Sequence, residues 1–167
     1  SVTGVQTCAL PICGLAAHTH CLSQAAGEWK SDISHRLNVA RCELEWQVKL
    51  EREIGLNVVQ WSALTRILRE LVSNTISHAQ ARRVQVSLSL QEDTLRLTVC
   101  DDGVGTAPET WSHGLGLGGV RKRVKQLGGS VRWSVREPHG ICCEVEIPNF
   151  GAACPEDQAS ASGQASH

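Results

Sequence analysis

The sequence predicts an α+β domain: a two-layer α/β sandwich in which a mixed, mostly antiparallel sheet is covered on one face by helices. Three observations lead there. Five stretches alternate apolar and polar residues with the period of a half-buried strand. Other stretches repeat apolar residues at helical spacing, one of them long and strongly one-sided. The strands fall mostly into hairpins, so the helices between them are left to cover a single face. The chain has 167 residues, enough for one domain with a real core. Its formal net charge of -1 and ordinary charged fraction point to neither nucleic acid nor a membrane surface as the main partner. No apolar run is long enough to span a bilayer.

Residues 1–12 stand apart. Val2 to Ile12 reads VTGVQTCALPI, the translation in one frame of a sequencing-library adapter, and this segment is left out of the fold reading. In residues 13–39, Leu15, Leu22, Ala26, Trp29, Ile33 and Leu37 recur at helical spacing. Next, Cys42, Leu44, Trp46, Val48 and Leu50 alternate with Glu43, Glu45, Gln47 and Lys49, a half-buried strand. The loop EREIGL leads to Asn57, which with Gln60 forms a capping box whose cap is an asparagine. The helix it opens runs to about Ala79, with Leu64, Ile67, Leu68, Leu71, Val72, Ile76 and Ala79 as its apolar stripe. Val84 to Leu90 and Leu95 to Val99 are alternating strands joined by the turn QED. Val120, Val124 and Leu127 mark a short helix ended by Gly128 and Gly129. A second hairpin joins Val131–Val135 to Ile141–Ile147 through REPHG, and Pro148 stops the last strand. Residues 149–167 turn to Ala, Ser, Gln and Gly, the composition of a disordered tail.

Eight cysteines without a CxxC pair are read as reduced thiols. Cys13, His18, His20 and Cys21 could ligate zinc, but their spacing fits no finger pattern.

The chemistry concentrates in three places. Asp101 continues the inward phase of Leu95, Leu97 and Val99, so a carboxylate points with the core face, where it needs a partner. An adenine exocyclic amine would satisfy it; a turn aspartate bonded to its own loop is the rival reading. Six glycines lie between Asp101 and Gly119. Gly103 and Gly105 let the chain turn and let a ligand lie against backbone. Gly114, Gly116 and Gly119 form a GxGxxG that opens a helix, and backbone amides at a helix start suit phosphate oxygens. A dinucleotide-binding reading fails, because the strand does not run directly into the first of these glycines. Arg121, Lys122, Arg123 and Lys125 add positive charge there, with Lys122 and Lys125 read as a solvated face. Glu70 and Asn74 stand one turn apart on the long helix. An amide oxygen can ligate Mg²⁺, and a glutamate beside it can orient a water; an ordinary polar helix face is the rival reading.

In combination, these features resemble the N, G1 and G2 boxes of the GHKL ATPases, which include gyrase, the large heat-shock chaperone, histidine kinases and MutL. ILRELVSNTISHA, VCDDGVG and HGLGLGGVRKRVKQLGGSV are most similar to sensor histidine kinases of the nitrate-sensor and sugar-phosphate-sensor type. The resemblance covers about residues 40–148 and implies the Bergerat fold. It implies that Asn74 binds Mg²⁺, that Glu70 supports the metal and its water, and that Asp101 binds the adenine amine. Gly103 and Gly105 would line the base pocket, and His78 would lie near the phosphates. Gly114, Leu115, Gly116 and Gly119 would form the lid hinge and phosphate contact, with residues 106–113 as a short ATP lid and Trp111 over the nucleotide or packed on the core. The implied cofactors are ATP and Mg²⁺. The implied reaction is transfer of the γ-phosphoryl group to a histidine on a dimerisation domain, and from there to a response regulator. Residues 13–39 would be a helical linker from that dimerisation region. The parent protein would be a membrane-anchored homodimer with this domain in the cytoplasm. Two positions depart from the pattern: Ser77, where a basic residue is usual, and Ile141, where a threonine is usual. An anti-sigma-type serine kinase and a non-catalytic nucleotide-binding module share the fold and stay open.

Overall fold

The computed structural model describes residues 20–105 and 117–151. In chain order these form β1 (His20–Cys21), α1 (Leu22–Val39), β2 (Glu43–Leu50), β3 (Gly55–Leu56) and α2 (Val58–Asn74). Then come β4 (Arg83–Gln91), β5 (Thr94–Asp101), α3 (Leu117–Gln126), β6 (Ser130–Val135) and β7 (Ile141–Ile147). Five strands make one sheet in the order β2-β4-β5-β7-β6. Among the described residues only β2 and β4 run parallel, and the other pairings are antiparallel.

Strand alternation decides which face the helices cover. In β4 and β5, Val84, Val86, Leu88, Leu90, Leu95, Leu97 and Val99 are buried, while Gln85, Ser87, Arg96 and Thr98 take the opposite face. In β7, Ile141, Cys143, Val145 and Ile147 continue the buried side. Leu64, Ile67, Leu68, Leu71 and Val72 of α2 close over that side, together with Val120 and Val124 of α3. The outer face is laced by ion pairs: Arg83 with Glu43 and Glu45, Arg96 with Glu146, and Arg132 with Glu144.

The start of α2 is as the sequence predicts. Asn57 Oδ1 accepts from the Gln60 N–H at 2.8 Å, and the Asn57 N–H donates to Gln60 Oε1 at 3.0 Å, a complete capping box. Its end differs. Over Thr75–Ala79 the helix widens to π form and stops at Gln80, in the left-handed region at φ 52°. Ile76, expected on the apolar stripe, is 39% exposed. It shares a surface groove with Val39, the last residue of α1, so the stripe outruns the helix that would cover it.

α1 belongs to the same core. Leu22, Ala25, Ala26, Trp29, Ile33 and Leu37 are all buried. Trp29 Nε1 donates to Thr65 Oγ1 at 2.9 Å, and Asp32 accepts from Arg36 on α1 and Arg69 on α2. Residues 55–56, read from sequence as loop, pair with β1. Their partner strand is only two residues long, too short to show a period. Phe150, placed in the tail by composition, is buried, and its N–H donates to the Asp93 carbonyl at 2.8 Å. One aromatic side chain docks a segment that its small polar neighbours would leave loose. The expectation of reduced thiols throughout has one exception: Cys100 and Cys142 are direct cross-strand partners and are joined as a disulfide. Cys42 and Cys143 are free and buried, and Cys21 is free and exposed. Residues 1–19 and 152–167, with the adapter-like segment and most of the proposed tail, lie outside the described residues.

Candidate nucleotide site

Asp101 is the last residue of β5, and the phase of that strand turns its side chain to the helix-covered face. It is 5% exposed. Oδ1 accepts from the Gly103 N–H at 2.9 Å and from the Ile141 N–H of β7 at 3.3 Å. Among the described residues no donor reaches Oδ2. Burial pushes the carboxyl above the usual aspartate range, against the pull of those two N–H groups. The turn-aspartate reading is therefore met. One oxygen caps the loop and the strand, and the group as a whole lines a cleft.

Asp102 points the other way. Its Oδ1 accepts from the Arg82 and Arg83 N–H groups at 2.8 and 2.9 Å. Partial burial raises this carboxyl, but the two backbone donors outweigh it and hold it below the usual range. Asp102 thus ties the end of β5 to the start of β4.

The glycines after Asp101 are sites of contact. A Cβ on Gly103 would stand 2.6 Å from the Ala79 Cβ and nearer still to its carbonyl oxygen, which accepts from the Val104 N–H at 2.8 Å. The loop is thus wedged against the π turn. Gly140, in the β6–β7 turn, sits at φ 112° with a Cβ position that would strike the Asp101 carbonyl. His139 Nδ1 lies 3.1 Å from the Gly103 carbonyl oxygen, and Arg136 donates to the Asp101 carbonyl at 3.3 Å. This turn braces the aspartate loop from behind. Sequence reading gave it no role, because nothing local to REPHG shows which loop it will meet.

Across from Asp101 stands the end of α2. Asn74 and His78 line the same cleft, with Gly105, Ile141 and Trp133. Among the described residues the buried Asn74 Nδ2 has no hydrogen-bond partner. A buried amide with an unmet group is costly unless a ligand completes it. Glu70, one turn earlier, is not part of the lining. Gly119 lies in the first turn of α3. Gly114, Leu115, Gly116, Trp111 and the proposed lid fall outside the described residues. Lys122 and Lys125 are exposed, as expected of a solvated face, whereas Arg121 lies over the Trp133 ring. Trp133 and Cys143 were not singled out from sequence as lining residues. Their alternation marks them as inward-facing, but not as facing a cleft.

A buried carboxylate at a strand end and a helix-borne amide thus line one cleft of an α/β sandwich. Residues 60–150 match the family described as "Histidine kinase-, DNA gyrase B-, and HSP90-like ATPase", and the chain belongs to that family. The signal transduction histidine-protein kinase/phosphatase UhpB of Salmonella typhimurium is 34% identical over 105 residues, 63% of this chain and 20% of that protein. Sensor histidine kinase YxjM of Bacillus subtilis is 33% identical over 99 residues, 56% of this chain and 24% of that protein. The chain thus spans only a fifth to a quarter of these curated relatives. Among solved structures, the histidine kinase domain of the blue-light activated histidine kinase from Erythrobacter litoralis EL346 superposes with a TM-score of 0.62 at 24% identity, over 74% of this chain and 60% of that one. That likeness shows the shared fold.

Proposed function

We propose that this chain is the ATP-binding catalytic domain of a two-component sensor histidine kinase. It would pass the γ-phosphoryl group of ATP to a histidine on a dimerisation domain, from which a response regulator takes it. The observation that carries this reading is Asp101: a sequestered carboxylate, one oxygen held by two backbone N–H groups, facing Asn74 across one cleft. An acceptor-only group there selects a purine that presents an amine and rejects one that presents a carbonyl oxygen. The tight seating of Gly103 and Gly140 keeps that carboxylate in one place, so its geometry is set before ligand arrives.

The family's implied metal fits the residues present. Asn74 offers a hard amide oxygen at the cleft, and it would hold Mg²⁺ with mostly water and phosphate ligands around it. When bound, the ion supplies charge neutralisation to the triphosphate. Glu70 is assigned to orienting water one turn away, and His78 to the phosphate side of the cleft. Gly114, Leu115, Gly116 and Gly119 are assigned to the phosphate-facing hinge. The parent is proposed to be a membrane-anchored homodimer with this domain in the cytoplasm; among the described residues no helix is long and apolar enough to cross a membrane.

The test adds a purified histidine-containing dimerisation domain and γ-labelled ATP to the chain. An acid-labile label on the added domain is the expected result. An acid-stable label would indicate a hydroxyl acceptor and overturn the histidine assignment. Calorimetric ATP binding with no transfer would reduce the chain to a binding module.

A further inference from the structure

One row of the sheet below Asp101 has no role in the reading above. The register pairs Val99 of β5 with Cys143 of β7, and Cys143 with Trp133 of β6. All three line the cleft. Asp101 and Ile141 lie one inward-facing step further along the same strands, so this row forms the floor beside the carboxylate. Val99 and Cys143 are small, and Trp133 is the largest side chain of the row. It is the one indole among the described lining residues. Trp133 sits on an edge strand, where fewer neighbours hold a side chain in place. Besides its packing against the core, it has a contact from α3: the Arg121 guanidinium lies over the ring, 4.9 Å from its centroid. A guanidinium over an indole is an attractive pairing, strongest with tryptophan.

We propose that Trp133 is the stacking surface for the purine, and that Arg121 is a positioning residue that holds the indole through its cation–π contact. The proposal rests on the adenine reading of Asp101 and deepens it. The carboxylate selects the base by its edge, while the indole grips the base by its face. Stacking is indifferent to base identity because every base has a π-face, so Trp133 contributes affinity and Asp101 contributes choice. Arg121, engaged on the ring, acts on the base side of the cleft and not as one more phosphate cation.

The experiment is calorimetry of the whole chain with ATP and, separately, with inorganic tripolyphosphate. Trp133→Leu is expected to weaken ATP by about tenfold or more, the scale of one base–aromatic stack, while leaving tripolyphosphate binding unchanged. Trp133→Phe keeps an aromatic face and is expected to retain most of the ATP affinity. Arg121→Ala is expected to weaken ATP but not tripolyphosphate, with Arg121→Lys partly restoring it. The double variant Trp133→Leu/Arg121→Ala is expected to be no worse than Trp133→Leu, since the two act through one ring. Should Trp133→Leu not fold, Trp133→Phe and the exposed Arg121 variants carry the test. Equal loss of ATP and tripolyphosphate binding, or a Trp133→Leu or Arg121→Ala variant that binds ATP as the parent does, would overturn the proposal. A parent chain that binds no nucleotide, or an Asp101→Asn variant that binds ATP unchanged, would overturn the adenine reading itself, which is a separate failure.

Discussion

Asp101 and Asp102 stand side by side, yet they belong to opposite faces of the sheet. On the inner face, Asp101 joins Val99, Leu97 and Leu95 under the helices, with its carboxyl raised by burial. On the outer face, Asp102 joins the ion-paired side, with its carboxyl lowered by the N–H groups of Arg82 and Arg83. The same residue type, one position apart, becomes a buried, cleft-lining group in one case and a brace between strands in the other. Strand pleating alone assigns the two sides. What differs is how far water has been excluded and which acceptor oxygens are left for a ligand to satisfy.

The sharpest way to break this comparison is Asp101→Asn. The amide keeps an oxygen for Gly103 and Ile141 but presents N–H to the purine amine, donor against donor. ATP affinity by calorimetry is expected to fall on the order of 100-fold or more, because a site built for one hydrogen-bond pattern rejects its inverse. The ligand-free fold should survive. Next in size is Gly103→Ala, which drives a Cβ into the π turn at Ala79. A loss of about 1–3 kcal/mol in urea unfolding is expected, as for other overpacked sites, with weaker ATP binding. Asp102→Ala frees two backbone N–H groups at the partly solvated start of β4 and should cost about 1 kcal/mol while ATP affinity stays near the parent value. The smallest effect is expected from Arg96→Ala, which removes an exposed pair with Glu146 and should change stability by less than about 1 kcal/mol.

pH sharpens the comparison, since the two carboxyls carry opposite signs. Asp101 is raised, so its contribution to stability is present below the ordinary aspartate range and is lost as pH climbs through its raised folded value. Asp102 is lowered, so its contribution is present above the ordinary range and is lost as pH falls through its depressed folded value. In urea unfolding followed between about pH 3 and pH 7, Asp101→Asn should gain on the parent as pH rises, and Asp102→Ala should gain on the parent as pH falls. Parallel curves for the two variants would remove the distinction between the faces.

Much of this was legible residue by residue. The alternation through Val84–Leu90 and Leu95–Val99, carried on to Asp101, places that side chain inward from the sequence alone. Asn57 and Gln60 announced the helix that ends at Asn74. The exposure of Ile76 was not legible, because a 3.6-residue period carries no mark of where the covering helix α1 ends. Nor was the bond between Cys100 and Cys142, separated by 42 positions and brought level only by strand register. Trp133 read as one more inward strand residue. That it floors a cleft beside Asp101, under Arg121, follows from the strand order β5-β7-β6 and the seating of α3.

The sequence by itself determined periods and chemical types: which residues face inward on each strand, where helices start, which carboxylate would be buried, and which glycines allow close approach. These are local properties, set by backbone geometry and side-chain polarity over a few residues. Only the tertiary structure decided who meets whom: Gly140 behind Asp101, Asn74 across from it, Trp133 in the same row as Cys143. Such meetings depend on register and strand order, which are settled by the packing of the whole core and leave no signature in any short stretch of chain.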